Sequence, residues 1–465
     1  MSTLFFLMLG AHMTVTMPDD CWNKFPLPFR DGDGLEVHEV EPGVSWTNFT
    51  TEEEQKRLKI QGFEGRLHEW AVLDDRRTIL LVTTCDNLSS SWGILAQKLG
   101  AVNLKLDPSD EGFMARAAGF LAARRTFGTE TPALSCVGKL SPTQRAILQA
   151  YGSALKLIEA PTSQLHVAEL VHAGVMLAEQ YDARCQVFSI DDDPDAFPAI
   201  HAVGRTALGR PQLLRFTWGN IDHPRVSLVG KGVVFDTGGL NLKPGQSMGL
   251  MRKDMGGAAF VLGLASAIMA KGLPVYLDVL IPAVENGIGI GAMRPGDILS
   301  TRAGISVEIG NTDAEGRLIL ADAMDLAVEA QPDLLIDVAT LTGAARVAMG
   351  FDITPYFSRD PKTRVDLLSM SQKTGDPLWP LPLWEPYERK LRSGFADINN
   401  VGDDGFGGAI IAACFLSKFC EDVEDWLHLD LAAWDHGDRP GHRKGAAMAG
   451  WFSILAYLEE RYGSS

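Results

Sequence analysis

A chain of 465 residues, 46% hydrophobic and with a formal charge of −17, is a folded globular protein too long for a single core, so two domains are expected. The negative charge works against general affinity for nucleic acid or for an anionic membrane, since both need positive surface. The six scattered cysteines (Cys21, Cys85, Cys136, Cys185, Cys414, Cys420) contain no CxxC pair and read as reduced thiols of a cytosolic enzyme, not as a disulfide framework or a zinc knuckle.

The chain opens with Thr3-Leu-Phe-Phe-Leu-Met-Leu-Gly-Ala11, an apolar run with no basic flank, well short of the ~20 residues a membrane span needs. It reads either as a poor signal peptide or as the result of a start codon upstream of a true one at Met13 or Met17. No other stretch reads as transmembrane. Arg77–Thr84 predicts a buried strand. Glu111–Arg125 and Thr143–Leu157 predict helices, the second started by Ser141-Pro142. Residues 1–157 are therefore expected to form a smaller α/β domain.

Over Ser163–Tyr181, Val167, Leu170, Val171, Gly174, Val175 and Ala178 share one helical face, which predicts a connecting helix across 158–182. Residues 183–465 follow as a second domain. There strands at Arg225–Val229, Val275–Ile281 and Asp333–Val338 alternate with helices at Gly256–Ala270 and Leu318–Glu329. That order predicts a largely parallel sheet flanked by helices, with any active site at the carboxyl ends of its strands.

The chemistry-bearing residues fall at those ends. The strand from Arg225 runs into a glycine-rich loop, Gly230-Lys-Gly-Val-Val-Phe-Asp-Thr-Gly-Gly239, carrying Lys231 and Asp236. It is no phosphate loop: it lacks the upstream glycine of a Walker motif, and Gly232 stands where Ser or Thr should follow the lysine. Lys243 and then Asp254 come next, Asp254 just before an apolar helix, where an isolated aspartate would be a simple helix-start charge.

Asn311-Thr-Asp-Ala-Glu-Gly-Arg-Leu318 likewise fits a capping box on its own, with Glu315 three residues after Thr312. However, Asp313, Glu315 and Arg317 are spaced by two, so an extended segment would point all three to one side, a costly grouping without a binding partner. Asn286 ends another strand, and Arg294-Pro-Gly-Asp297 reads as loop structure.

Asp236, Asp254, Asp313 and Glu315 sum to −4, which two divalent cations would neutralise. Carboxylate oxygens with one amine nitrogen suit zinc, manganese or magnesium. Two such ions ~3.5–4 Å apart clamp and activate one bridging water. No HExxH is present, so a single-zinc protease is not supported.

Lys231, Asp236, Lys243, Asp254 and the complete NTDAEGRL string resemble the catalytic core of the leucyl aminopeptidase family of dinuclear metallopeptidases. The likeness covers roughly residues 160–455, including Asp337-Val-Ala-Thr-Leu-Thr-Gly-Ala344 and Trp426-Leu-His-Leu-Asp-Leu431. It implies an enzyme that releases N-terminal amino acids from peptides, the substrate's free amino terminus sitting on a metal. Asp236 and Glu315 would contact both metals, Asp313 one, and Lys231 and Asp254 the other. Lys231 would have to be neutral to ligate. Lys243 would steady the oxyanion, and Arg317 would hold a bicarbonate acting as general base. Met251, Thr340, Leu341, Gly343 and Ala432 would wall the side-chain pocket. The resemblance also implies a cytoplasmic homohexamer acting on peptides.

The chain departs from the family where Met-Pro-Ser-Gly usually follows Glu-Asn, here Gly287-Ile-Gly-Ile-Gly291. It departs again at Ala433-Trp-Asp-His-Gly-Asp438 and Gly445-Ala-Ala-Met-Ala-Gly450. None of these falls on a metal ligand, but Trp434 and Asp435 lie near the expected pocket rim, so a leucine preference is only the family default. A specialised dipeptidase of the cysteinyl-glycine type and a non-catalytic oligomeric or DNA-binding regulator are the alternatives.

Overall fold

The structure, a computed structural model, describes residues 141–437 and 444–463 in full and, ahead of them, the backbone of six strands. Those six strands form two three-stranded sheets, Phe29–Asp31 with Leu134–Cys136 and Lys105–Leu106, and Glu36–Val40 with Thr78–Val82 and Trp70–Asp74. The strand expected at Arg77–Thr84 is thus Thr78–Val82, while the helix expected at Glu111–Arg125 lies outside the described residues.

Helix α1, Pro142–Glu159, starts where Ser141-Pro142 predicts. Ser141 Oγ accepts from Gln144 N and Gln144 Oε1 accepts from Ser141 N, a reciprocal capping box with proline in the first turn. The expected domain boundary at 157 falls within the last turn of this helix. Helix α2, Val167–Gln180, buries Val167, Leu170, Val171, Gly174 and Ala178 of the face its spacing assigns, while Val175 is only partly buried and Leu177 is buried as well. Both helices pack into the core that covers one face of the main sheet.

That sheet has nine strands: β1 Arg184–Ser189, β2 Gln212–Trp218, β3 Arg225–Gly230, β4 Gly232–Asp236, β5 Tyr276–Asn286, β6 Leu334–Ala339, β7 Thr354–Ser358, β8 Leu378–Pro380 and β9 Trp426–Asp430. Their order is β8-β7-β9-β6-β3-β5-β2-β1, with β4 also on β5. The central run β9-β6-β3-β5 is parallel, and antiparallel pairings flank it at β7 and β2. The mostly parallel α/β architecture is therefore present, with antiparallel margins that apolar runs alone do not distinguish.

The strand pleat divides the core. Leu228, Ile336 and Leu429 face one side, covered by α1, α2, α4 (Gly256–Lys271) and α9 (Trp451–Tyr462). Val229, Leu335 and Trp426 face the other, covered by α3 (Pro198–Gly204), α5 (Gly316–Val328) and α8 (Gly408–Ser417). Among the described residues, Met251–Lys271 is the one segment long and apolar enough to cross a membrane, and it is the buried central helix of this core.

Two further helices complete the frame: α6, Gly343–Met349, follows β6, and α7, Pro361–Thr374, lies between β7 and β8. Of the six cysteines, Cys185, Cys414 and Cys420 are described, and all three are free thiols.

The main sheet places one break with care. β3 and β4 both pair in parallel with β5, and Lys231 lies between them. Its N–H leaves that ladder to donate to Val338 O at 3.0 Å, while its carbonyl accepts from Ala258 N at 2.8 Å. The backbone stays satisfied through the break, and the Lys231 side chain is presented at the carboxyl ends of the strands.

Candidate metal centre

Four segments converge at that break. Asp236 ends β4, directly in register with Asn286 at the end of β5. Asp254 sits in the 3-10 turn Met251–Met255 that leads into α4. Asp313 and Glu315 belong to the turn ahead of α5, and Lys243 closes the loop that begins at Asp236.

The contacts are short, and Lys231, Asp236, Asp254 and Glu315 are buried. Lys231 Nζ lies 2.7 Å from Asp254 Oδ2 and 2.8 Å from Glu315 Oε1, and donates to Thr340 O at 2.9 Å. Lys243 Nζ lies 2.7 Å from Asp236 Oδ2 and also pairs with Asp313. Asp236, Asp313 and Glu315 bring one carboxylate oxygen each to within 4.8 Å of one another. Each ammonium thus bridges two carboxylates, so the centre already accommodates two positive charges.

Such crowding shifts the ionisations. Burial first, then the Asp236 charge, pushes the Glu315 carboxyl up to about 8 and that of Asp313 up to about 6. For Asp254 burial works upward, but the ammonium groups of Lys231, Lys253 and Lys243 win and hold it below the usual carboxylate range. Burial alone would depress Lys231, yet Asp254, Glu315 and Asp236 together hold it above the ordinary lysine range. Lys243 is raised in the same way, against burial, chiefly by Asp236.

This chemistry fits divalent cations. Three hard oxygen donors within mutual reach, those of Asp236 and Glu315 buried and that of Asp313 half-buried, with a fourth carboxylate and an amine, form a set that a hard or borderline ion selects, with no thiolate in it.

Both simpler readings of the ligands fail. Glu315 is itself the residue preceding α5, in helical conformation and with no side-chain cap, so Thr312–Glu315 is no capping box. Asp254 is directed at Lys231 and not at helix N–H groups. The extended segment expected from Asp313 to Arg317 is also absent. Asn311 Oδ1 accepts from Asp313 N at 2.8 Å and folds the chain into a turn, and α5 begins at Gly316, so turn and helix together converge the Asp313 and Glu315 carboxylates.

Two glycines permit this closeness. A Cβ on Gly316 would lie 2.7 Å from Lys231 Cδ and Cε and 2.8 Å from its Nζ. Gly238 adopts φ +86°, and a Cβ there would meet Asn241 O at 2.5 Å.

Arg317, in the first turn of α5, is buried. Its Nη1 donates to Asn400 O, its guanidinium lies 5.9 Å from the Phe415 ring, and its Nε has no acceptor among the described residues. Burial lowers it to about 10 against the pull of Glu315 and Asp430.

The residues expected around the substrate side chain lie alongside. Thr340 donates its hydroxyl to Asp254 O at 2.9 Å, and Leu341 N donates to Asp430 Oδ1 at 3.1 Å. Gly343 begins α6, with open space beside its Cα. Met251 begins the turn that carries Asp254. Ala432 is buried next to Ala433, which holds φ +56°.

Three positioning residues escaped the sequence reading. Asn286 donates Nδ2 to Asp236 Oδ1 at 2.8 Å and to Thr312 O at 3.1 Å. Asn241 Oδ1 accepts from Thr312 N at 2.8 Å. Asn400 accepts at Oδ1 from Gly310 N and donates Nδ2 to Asn311 O, bracing the turn. Asn286 carried a signal, its place at a strand end, but nothing in the sequence pairs Asn400 with residue 311. Arg294 and Asp297 bond to each other as a loop pair, as expected.

Residues 153–454 match the cytosol aminopeptidase family, catalytic domain. A probable cytosol aminopeptidase of Dechloromonas aromatica is 40% identical over 336 residues, covering 70% of this chain and 66% of its own. One of Chlorobium limicola is 48% identical over 236 residues, covering 50% and 47%. The chain spans about half to two thirds of the length of these curated relatives. The crystal structure of cytosol aminopeptidase from Coxiella burnetii superposes with a TM-score of 0.85 at 36% identity, covering 94% of this chain and 99% of that one. The bottromycin maturation enzyme BotP in complex with Mn gives 0.79 at 26% identity, covering 93% and 100%.

Proposed function

The chain belongs to the cytosol aminopeptidase family, and we propose that it is a metal-dependent aminopeptidase releasing N-terminal residues from peptides through a dinuclear centre. The observation that carries the reading is the convergence of Asp236, Asp313 and Glu315 oxygens within 4.8 Å, beside Lys231 and Asp254. These five residues would hold the two divalent ions, and the manganese in the related BotP structure supports that cation among zinc, manganese and magnesium. Bound there, the ions supply Lewis acidity and an activated water at neutral pH.

The chain's own groups do the rest. Lys231 ligates only as a neutral amine, and its three carboxylate neighbours alone favour the ammonium. Added cationic charge among those carboxylates reverses that balance and lets the proton leave. Lys243, less buried and held charged by Asp236, would donate to the oxyanion of a tetrahedral intermediate. Arg317, buried with an unmet Nε–H, has the chemistry to hold a small planar anion such as bicarbonate as the general base. The open space beside Gly343 would take the first side chain of the substrate, with Met251, Thr340, Leu341 and Ala432 as the wall that the family resemblance implies.

The reading extends to a cytoplasmic homohexamer, in keeping with the relatives' names and the family resemblance; sedimentation at the mass of one chain would count against the hexamer. The activity itself is tested by comparing a peptide with a free amino terminus and its N-acetylated form, with manganese and with chelator. Hydrolysis of the free peptide alone, and only with metal, supports it. Cleavage of the acetylated peptide, or equal rates in chelator, overturns it.

A further inference from the structure

The loop that joins β6 to α6 is held by a residue of the neighbouring strand. β9 ends at Asp430, in register with Ala339 at the end of β6, and Thr340, Leu341 and Thr342 follow Ala339 into the loop. Asp430 is 1% exposed, and its carboxylate collects three donors from that loop. Oδ1 accepts from Leu341 N at 3.1 Å and from Thr342 N at 3.2 Å, and Oδ2 accepts from the Thr342 hydroxyl at 2.6 Å. Arg346 of α6 donates Nη2 to Asp430 O, so the helix that follows the loop grips the same residue.

The loop in turn meets two of the proposed metal ligands. Thr340 O accepts from Lys231 Nζ at 2.9 Å, and the Thr340 hydroxyl donates to Asp254 O at 2.9 Å. Lys231 Nζ has three acceptors among the described residues, and two of them, Asp254 and Glu315, are themselves proposed ligands. Thr340 O is the acceptor left to hold an amine N–H when those carboxylates turn to an ion. An amine held by one N–H has its lone pair aimed, the orienting role that outer hydrogen bonds play around a metal ligand. Without Asp430, Leu341 N and Thr342 N would either stay unpaired at a cost or draw the loop elsewhere to find acceptors.

We propose that Asp430 is a positioning residue for the metal centre. By fixing Thr340 to Thr342 it sets both the carbonyl that orients the Lys231 amine and the hydroxyl that steadies the turn carrying Asp254. The inference rests on the dinuclear reading for the identity of the ligands, and on the hydrogen bonds of the loop for the route. Asp430 acts through the loop and is not a ligand in this scheme.

The test titrates manganese into chelator-stripped protein by calorimetry, with circular dichroism to follow the fold. Asp430→Ala should stay folded and lose at least about tenfold in manganese affinity. Asp430→Asn keeps an oxygen for Leu341 N and Thr342 N, so it should recover affinity to within about threefold of the parent. Asp376→Ala is the control for lost stability: it removes a carboxylate that likewise accepts two backbone N–H groups, away from the centre, and should bind manganese as the parent does. Parent-like affinity in Asp430→Ala, an equal loss in Asp376→Ala, or no recovery in Asp430→Asn overturns the proposal. If Asp430→Ala does not fold, Thr342→Val decides, since it removes only the hydroxyl link: a loss of about fivefold supports the route, and parent affinity overturns it. If the unmutated protein binds no manganese, the dinuclear reading itself fails and the proposal falls with it.

Discussion

Lys231 and Glu315 meet at 2.8 Å, and neither is more than 2% exposed. Burying that pair is expensive, and removing one partner leaves an uncompensated charge. The arrangement makes sense as the frame of a site that receives more positive charge, and the first predictions test that frame.

Asp254→Ala removes a carboxylate the centre depends on, so metal content and turnover should fall together. Lys243→Ala should keep the metal and lose turnover by ~10²-fold or more, the order seen when an oxyanion donor is removed. Elemental analysis alongside steady-state rates separates the two. Near-normal behaviour of both variants would show that the roles are misassigned.

Asn286 fixes Asp236 through a 2.8 Å hydrogen bond. Asn286→Ala should weaken manganese binding ~10–100-fold, as loss of a residue orienting a metal ligand does. Titration calorimetry reads this directly, and an unchanged affinity would make Asn286 a bystander.

Gly316→Ala places a methyl group 2.7 Å from the Lys231 side chain, which three acceptors hold in place. Alanine favours helix, so the fold should survive while metal affinity drops at least tenfold by the order of the loss above. Circular dichroism with metal titration distinguishes the outcomes. A variant that binds metal normally would show that Lys231 has room to move.

The fold class and all five proposed ligands were legible because the chemistry is concentrated in short segments: Lys231 to Asp254, and Asn311 to Leu318. Asn400 was not legible, since its partner Asn311 is distant in sequence and a lone asparagine carries no period. The antiparallel margins of the sheet were missed for a related reason, as the runs at β2 and β7 say nothing of direction. The spacing of Asp313, Glu315 and Arg317 implied an extended segment, whereas an Asx turn at Asn311 and the start of α5 bring the Asp313 and Glu315 carboxylates together.

Asp376 offers a test of stability away from the site. It accepts from Gly450 N and Phe452 N at the start of α9, and burial pushes its carboxyl up to about 6. A carboxyl raised on folding holds its proton in the native state while the unfolded chain has lost it. Stability is therefore greatest below the unfolded value near 3.8 and declines as pH rises toward 6. Asp376→Asn lacks this titration. Its stability relative to the parent should rise across that window by up to about 3 kcal/mol. Parallel melting curves at pH 4, 5, 6 and 7 check it, and a constant difference would contradict it.

The central claim is that Asp236, Asp313, Glu315, Lys231 and Asp254 hold two divalent ions on which peptide hydrolysis depends. The direct measurement is a manganese titration of chelator-stripped protein, reading bound metal and the rate of peptide hydrolysis in the same samples. The account predicts no activity in the stripped protein and a rate that reaches its plateau at two bound ions per chain. Full activity in the presence of chelator, or a plateau without bound metal, would contradict it.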